Sequence, residues 1–350
     1  MTRNIDILNF ILIWVSLVLA FRFPFELFLF SYIVLGPLHY LTEINWLDKK
    51  NYFLNEQKDR KGFLLIAGII LLFLSASYFT GQLGTWEISK GLHERLINAG
   101  GSERVNALID WGGTSIFIAL FFAFIYHLTS SWKNRLILTG ICLALSFFYF
   151  KNPHFLVWIG VFLPTIIHVF LFTLLFMWFG TKKSGSGWGY ANIFSMILVV
   201  FIIVNAKVSP VKNSLDPAIV DMTVASNFHG VNYEINRILG FAKDNRINFY
   251  TSYFWKAQIF IAFAYTYHYL NWFSKTSIIQ WHKIEKRKLV IAVVIWLVSI
   301  GLYTVNFRFG ALALFVMSAL HVILEFPLNM LSVKELLLPR FLFKTKNALN

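Results

Sequence analysis

The fold class is decided by residues 155–179, which read FLVWIGVFLPTIIHVFLFTLLFMWF and contain no Asp, Glu, Lys or Arg. A helix needs about 20 consecutive apolar residues to cross the hydrocarbon layer of a bilayer, so this stretch predicts a transmembrane helix. Pro164 lies near its centre and predicts a kink, because proline cannot donate the backbone hydrogen bond of a helix interior. One histidine, His168, lies in the same stretch.

The apolar character extends over the whole chain of 350 residues, which is 57% hydrophobic and 14% charged, with a mean hydropathy of +0.63. A soluble domain of average composition has about 25% charged residues, so the composition excludes an ordinary soluble globule and a disordered chain. Ten stretches predict spans: 5–21, 25–44, 62–80, 112–130, 135–150, 155–179, 190–208, 252–272, 288–306 and 310–331. We therefore expect an all-α, polytopic integral membrane bundle of about ten transmembrane helices, forming a single domain over residues 1–350.

Basic residues predict how the helices are oriented. The net charge is +14, but the Lys and Arg residues lie in short clusters between apolar stretches, which is typical of membrane topology and not of a nucleic-acid-binding surface. Placing the N-terminus in the cytoplasm puts most of the 31 basic residues in short inner segments. We expect both termini in the cytoplasm of an inner or plasma membrane, and short interfacial helices in the outer loops 81–110 and 209–251.

Five of the nine histidines lie inside predicted spans: His39, His127, His168, His268 and His321. All five spans run in the same direction, and each histidine lies roughly 16–24 Å from the outer end of its span at 1.5 Å per residue. Ionisable side chains in hydrocarbon usually face the interior of the bundle. At least three of the five imidazoles are therefore predicted to bind one metal centre or cofactor, with His127 the weakest candidate, although histidines also serve as simple interhelical hydrogen bonders.

Polar side chains accompany three of these histidines. Glu43 follows His39 by four residues, Glu325 follows His321 by four, and Asn271 follows His268 by three. Residues three or four apart share a helix face, so Glu43, Glu325 and Asn271 are the predicted catalytic residues. Imidazole with carboxylate suits iron, zinc, manganese or copper, and a carboxylate can instead orient a histidine ligand. For Glu43, pairing with the basic residues at 49 and 50 is an equal alternative.

The segment Gly36-Pro37-Leu38-His39-Tyr40-Leu41-Thr42-Glu43 resembles a motif of the Brp/Blh carotenoid dioxygenases. Those are multi-span membrane enzymes that hold one non-haem iron with histidines and cleave a polyene. The family pattern has a glycine after the histidine and an aspartate as the acid, where this chain has Tyr40 and Glu43. The chain also lacks a pair of histidines four residues apart. The resemblance covers little of the chain and implies a metal at His39, without indicating the substrate.

Three functional hypotheses remain open at the level of sequence. The first is a membrane metalloenzyme of the oxidoreductase type, oxygenase-like, in which non-haem iron or another transition metal acts on a lipid-like hydrophobic substrate. The second is a haem- or quinone-linked electron-transfer protein, because facing histidines can ligate haem. The third is a transporter whose buried His and Glu relay protons or bind an ion, although the sequence has no clear inverted repeat. The expected partners are the lipid bilayer and a hydrophobic small molecule, with no nucleic acid.

Overall fold

The structure is a computed structural model that describes residues 2–82, 87–96, 98, 101–150, 152–209, 215–226, 228–242, 248–283 and 285–337. Within these ranges the regular elements are all helices, which confirms the predicted all-helical class. The first half contains α1 (Thr2–Arg22), α2 (Pro24–Phe30), the π-helix π1 (Ser31–Leu35), α3 (Gly36–Lys49), α4 (Gln57–Gln82), α5 (Glu87–Leu96), α6 (Ser102–Leu128) and α7 (Trp132–Tyr149). The second half contains α8 (Pro153–Phe155), the π-helix π2 (Leu156–Phe172), α9 (Thr173–Ser184), α10 (Gly187–Asn205), α11 (Pro217–Ala225), α12 (Phe228–Ile238), α13 (Ser252–Ser274), α14 (Thr276–Ile279), α15 (Lys286–Val305) and α16 (Phe307–Leu337).

Eight helical stretches among the described residues are long and apolar enough to cross a membrane. They are Arg3–Arg22, Pro24–Lys49, Gln57–Thr80, Asn106–Leu128, Leu156–Ser184, Gly187–Asn205, Lys286–Val305 and Phe307–Leu336. The protein thus has the helices of a multi-pass membrane protein, as the sequence predicts. The total of about ten spans, the cytoplasmic termini and the type of membrane stay predictions.

Two predicted spans, 135–150 and 252–272, correspond to α7 and α13, which are not among these eight stretches. In α13 most side chains are buried, including polar ones such as Gln258, Thr266 and His268. A helix that contacts protein on most sides does not need the apolar surface that lipid requires. The low hydropathy of α13 is therefore explained by its burial.

The chain divides into two compact units, and each is described by itself. The first unit consists of Met1–Trp46 and Ile166–Ser318, and the second of Leu47–Thr165 and Ala319–Asn350. The single membrane domain over residues 1–350 stays a prediction. Short helices α5, α11 and α12 occur in the loops where the sequence predicts them, and their position at a membrane interface also stays a prediction.

In the first unit, α13 is the central helix. It packs against α1, α2, π1, α10 and α12, and α1 also packs against α10. Hydrogen bonds between buried groups fix these contacts, with Ser31 Oγ and Thr266 Oγ1 at 2.7 Å and Gln258 Nε2 donating to the Pro24 carbonyl at 3.1 Å. Residues on the middle and last turns of α13 are consequently held in the interior of this unit.

In the second unit, α4 packs along α6, and α6 packs against α7. Arg135 of α7 donates two hydrogen bonds to the carboxylate of Asp59 in α4, at 2.6 and 2.8 Å. Gly113 of α6 faces Gly160 of π2 so closely that a methyl group on Gly160 would lie 3.1 Å from the Cα of Gly113. Small residues allow helix backbones to approach in this way in membrane proteins.

Both π1 and π2 are associated with a proline inside a longer helix. Pro37 follows π1, and the carbonyl that its ring would displace, four residues earlier, belongs to Ile33 within π1. Pro164 lies inside π2 itself. The structure therefore responds to both prolines with wider helical turns, and the sharp kink predicted at Pro164 stays a prediction.

Candidate metal centre

Three of the five predicted histidines come together in the first unit. His39 lies on α3, His168 on π2 and His268 on α13, with exposures of 1%, 1% and 7%. The ring centroids of His39 and His268 are 4.7 Å apart, and those of His168 and His268 are 5.1 Å apart. Three separate helices thus bring three buried imidazoles into one cluster, as the shared depth of these residues predicts.

The nitrogens of His39 and His268 have the spacing of two ligands of one metal ion. The distance between His39 Nε2 and His268 Nε2 is 3.1 Å. Imidazole nitrogens bind zinc at about 2.0–2.1 Å, so two such ligands on one ion are about 2.9–3.4 Å apart for angles between 90° and tetrahedral. The same distance also fits a hydrogen bond in which one ring donates and the other accepts.

Thr173 determines which nitrogen of His268 is available to bind a metal ion. Its Oγ1 lies 2.7 Å from His268 Nδ1, and both side chains are buried. When Nδ1 carries the proton and donates it to the hydroxyl, Nε2 keeps a lone pair directed at His39. Metal-bound histidines are oriented by such partners. Thr173 was not predicted from the sequence, because its bond joins residues that are 95 positions apart.

Glu43 places a carboxylate beside His39. Glu43 Oε2 lies 3.0 Å from His39 Nε2, and the residue is 3% exposed. The two atoms are close, but they lack hydrogen-bond geometry, and Oε2 accepts no hydrogen bond from the described residues. A buried carboxylate oxygen without a donor is costly unless a cation or a proton is present. The catalytic role of Glu43 and its alternative pairing with the basic residues at 49 and 50 both stay predictions.

Aromatic side chains surround the His39 ring and exclude water. Ring centroids of Tyr269, Trp272 and Tyr40 lie 5.1, 5.4 and 5.7 Å from that of His39. The hydroxyls of Tyr40 and Tyr269 are hydrogen-bonded to each other at 2.7 Å. The cluster is therefore a polar group of imidazoles and one carboxylate inside a largely aromatic lining.

Asn271, the third predicted catalytic residue, lies one turn after His268 on α13 and is buried. Its Oδ1 accepts no hydrogen bond from the described residues. Buried amide oxygens in proteins are normally bonded, so this atom requires a water molecule or a ligand as its partner.

His321, Glu325 and His127 belong to the second unit. His321 and Glu325 are one turn apart on α16, and each is 1% exposed. Asn329, a further turn along, is also fully buried, and neither polar atom of its side chain has a hydrogen-bond partner among the described residues. Asn329 was not predicted as a site residue, although its spacing of four from Glu325 was visible in the sequence.

His127 lies at the end of α6 and is bonded within the second unit. Its carbonyl accepts a hydrogen bond from Lys334 Nζ at 3.1 Å, whereas the buried Nε2 of its ring has no hydrogen-bond partner among the described residues. The bond from Lys334 fits a residue that contributes to helix packing. The expectation that His127 and His321 belong to the same centre as His39 stays a prediction.

Comparisons with protein-family models, with curated proteins and with solved structures found no match to this chain. The chemistry of the site must therefore be argued from its own residues. Groups of buried histidine and glutamate side chains in the described part of the chain could hold a metal ion.

Proposed function

We propose that the protein is an integral membrane metalloenzyme of the oxidoreductase type, in which His39 and His268 bind a non-haem iron or another transition metal. The observation that carries the proposal is the 3.1 Å separation of their Nε2 atoms inside a buried aromatic lining. Bound there, the metal would activate dioxygen or polarise a bound group. The resemblance of residues 36–43 to the Brp/Blh carotenoid dioxygenases supports the same chemistry.

The kinds of donor atom support non-haem iron. Imidazole and carboxylate are the donor types of non-haem Fe(II) oxygenases; His39 and His268 supply the imidazoles, and the carboxylate of Glu43 lies beside His39. Thr173 orients His268 by its bond to Nδ1 at 2.7 Å. His168 supplies a further imidazole next to His268. Glu43 contributes the negative charge that balances a metal cation in a site of low dielectric.

The geometry favours a bare metal ion over a haem between His39 and His268. Two axial histidines lie on opposite sides of a haem iron, which places their nitrogens about 4 Å apart, twice a metal–nitrogen bond. The observed 3.1 Å is shorter, and the ring centroids are only 4.7 Å apart. Two ligands on adjacent coordination positions of one ion fit this spacing.

A lipid-like hydrophobic substrate suits the surroundings of the site. The cluster is buried among the rings of Tyr40, Tyr269 and Trp272. Such a lining favours apolar ligands, and polar groups in it serve to fix orientation. We infer that the substrate enters from the bilayer and that its reacting group lies next to the two imidazoles.

Metal analysis tests the proposal. The protein is purified in detergent, its metals are quantified by mass spectrometry and its absorption spectrum is recorded. We expect about one iron, or another transition metal, per chain without a Soret band, and loss of that metal in His39→Ala and His268→Ala. The exposed His282 provides the matched control, since His282→Ala should keep the metal. A Soret band would select the haem hypothesis, and metal-free wild-type protein that binds none on reconstitution would refute the proposal.

A further inference from the structure

A second group of buried polar side chains lies in the first unit, between α1, α10 and the last turns of α13. We call it the polar column, and its members are Asn9, Asn192, Tyr267, Asn271 and Ser274. Asn9 Nδ2 donates to Ser274 Oγ at 3.0 Å, and the Tyr267 hydroxyl donates to Asn9 Oδ1 at 3.4 Å. Asn192 Nδ2 donates to the Asp6 carbonyl at 2.9 Å. Side-chain hydrogen bonds thus join α1 to α13, and α10 to α1.

The polar column runs along α13 towards the metal centre. His268, Asn271 and Lys275 occupy positions i, i+3 and i+7, which share one helix face. Lys275 follows the last residue of α13, and at 1.5 Å per residue it lies about 10 Å along the axis from His268. A continuous polar face therefore connects the end of the helix with the buried imidazoles.

Two members of the polar column have unsatisfied acceptors. Oδ1 of Asn192 and Oδ1 of Asn271 accept no hydrogen bond from the described residues, although both side chains are more than nine-tenths buried. Native proteins satisfy such atoms with buried water, which typically bonds two to four polar groups. The other members are hydrogen-bonded to one another, so a water molecule is the natural donor to these two oxygens.

We propose that the polar column is a hydrated path along which water and protons pass between the end of α13 at Lys275 and the metal centre at His268. Ionisable side chains within membranes typically mark proton relays and water-filled cavities, and two such groups, His268 and Lys275, lie at the two ends of the polar column. The aromatic lining closes the His39 side of the centre, so chemistry that moves protons needs a polar connection to water. This role rests on the proposed function, whereas the presence of water in the path does not.

The properties of Lys275 suit a residue at the end of such a path. Burial lowers the pKa of its amino group to about 8, while the nearby Asp6 carboxylate acts in the opposite direction. An amine with this pKa exchanges protons readily near neutral pH, which an ordinary lysine, with a pKa of about 10.4, does less well.

Reaction of introduced cysteines with silver ion tests the path, because Ag⁺ is small enough to travel with water and does not enter apolar packing. Cys142 is the only cysteine, so a Cys142→Ser background removes every native thiol. Asn271→Cys and Asn192→Cys are compared with Ala264→Cys, an equally buried position on α13. The unreacted thiol is counted by maleimide labelling after denaturation. We expect both path cysteines to react at least tenfold faster than the control.

Blocking the polar column with an apolar side chain provides a second measurement. Asn9→Leu in the Asn271→Cys background should slow the reaction of the cysteine with Ag⁺ several-fold. If Asn9→Leu does not fold, the reaction rate of Asn192→Cys with Ag⁺ decides the test. Path cysteines that react as slowly as Ala264→Cys overturn the hydrated path. The assay uses no bound metal, so a reactive Asn271→Cys in a protein that never binds metal refutes the proposed function and retains the path. Metal binding with unreactive cysteines refutes the path alone.

Discussion

Thr173→Val is the sharpest test of how the first unit would hold a metal. The substitution keeps the shape of the side chain and removes the hydroxyl that bonds His268 Nδ1 at 2.7 Å. Loss of the partner of a metal-bound histidine typically lowers metal affinity 10–100-fold, which is about 1.4–2.7 kcal/mol. Thr173 is 1% exposed, so bulk water has no easy access to replace the hydroxyl. We therefore expect a loss in the upper part of that range.

The affinity is measured by titrating the detergent-solubilised protein with Co²⁺ and following its visible absorption, with a chelator as competitor. Thr114→Val is the matched control, because Thr114 is buried and its hydroxyl donates to the carbonyl of Asp110 on its own helix at 3.0 Å. Thr173→Ser should restore most of the affinity, since it returns the hydroxyl. If Thr173→Val and Thr114→Val both bind Co²⁺ within twofold of the wild type, the hydroxyl does not orient a ligand and our reasoning fails.

Two further predictions concern charged groups outside the centre. Asp59→Asn should lower the free energy of unfolding by about 2 kcal/mol, because it leaves the mostly buried Arg135 guanidinium without its carboxylate. The measurement is the melting temperature in detergent. Lys58→Gln breaks an exposed ion pair and should leave the melting temperature unchanged. Equal melting temperatures would contradict this. The rate at which Lys275 is acylated should rise with pH, with a midpoint at about pH 8, and level off above it. Asp6→Asn should move this midpoint to lower pH, because the Asp6 carboxylate favours the charged amine. Mass spectrometry of the labelled peptide measures both, and a midpoint that stays or rises would contradict the assignment.

The membrane class and part of the site were predictable from sequence because both depend on simple spacing. Apolar stretches of about 20 residues identify spans regardless of how the helices pack. The four-residue spacing of His39 and Glu43 places them on one face of any helix, and the structure shows their contact at 3.0 Å. Depth in the bilayer placed His168 and His268 near the same level, and their rings lie 5.1 Å apart.

Other features could not be predicted because they depend on packing between elements distant in sequence. Hydropathy does not reveal that α13 is buried among α1, α2 and α10, so its polar residues looked like those of an ordinary span. The bond of Thr173 to His268 joins residues 95 positions apart. The unsatisfied oxygens of Asn192 and Asn271 appear only when every neighbouring donor has been placed.

The π-helices π1 and π2 set the direction in which two of the clustered histidines leave their helices. His39 follows π1 by four residues, and His168 lies within π2. Each extra residue accommodated in a helical turn rotates all following side chains by about 100° relative to a regular α-helix. Such wide turns are rare in proteins and occur frequently at functional sites. The two prolines account for the wider turns, and His39 and His168 each lie with their rings next to the ring of His268, at 4.7 and 5.1 Å between centroids.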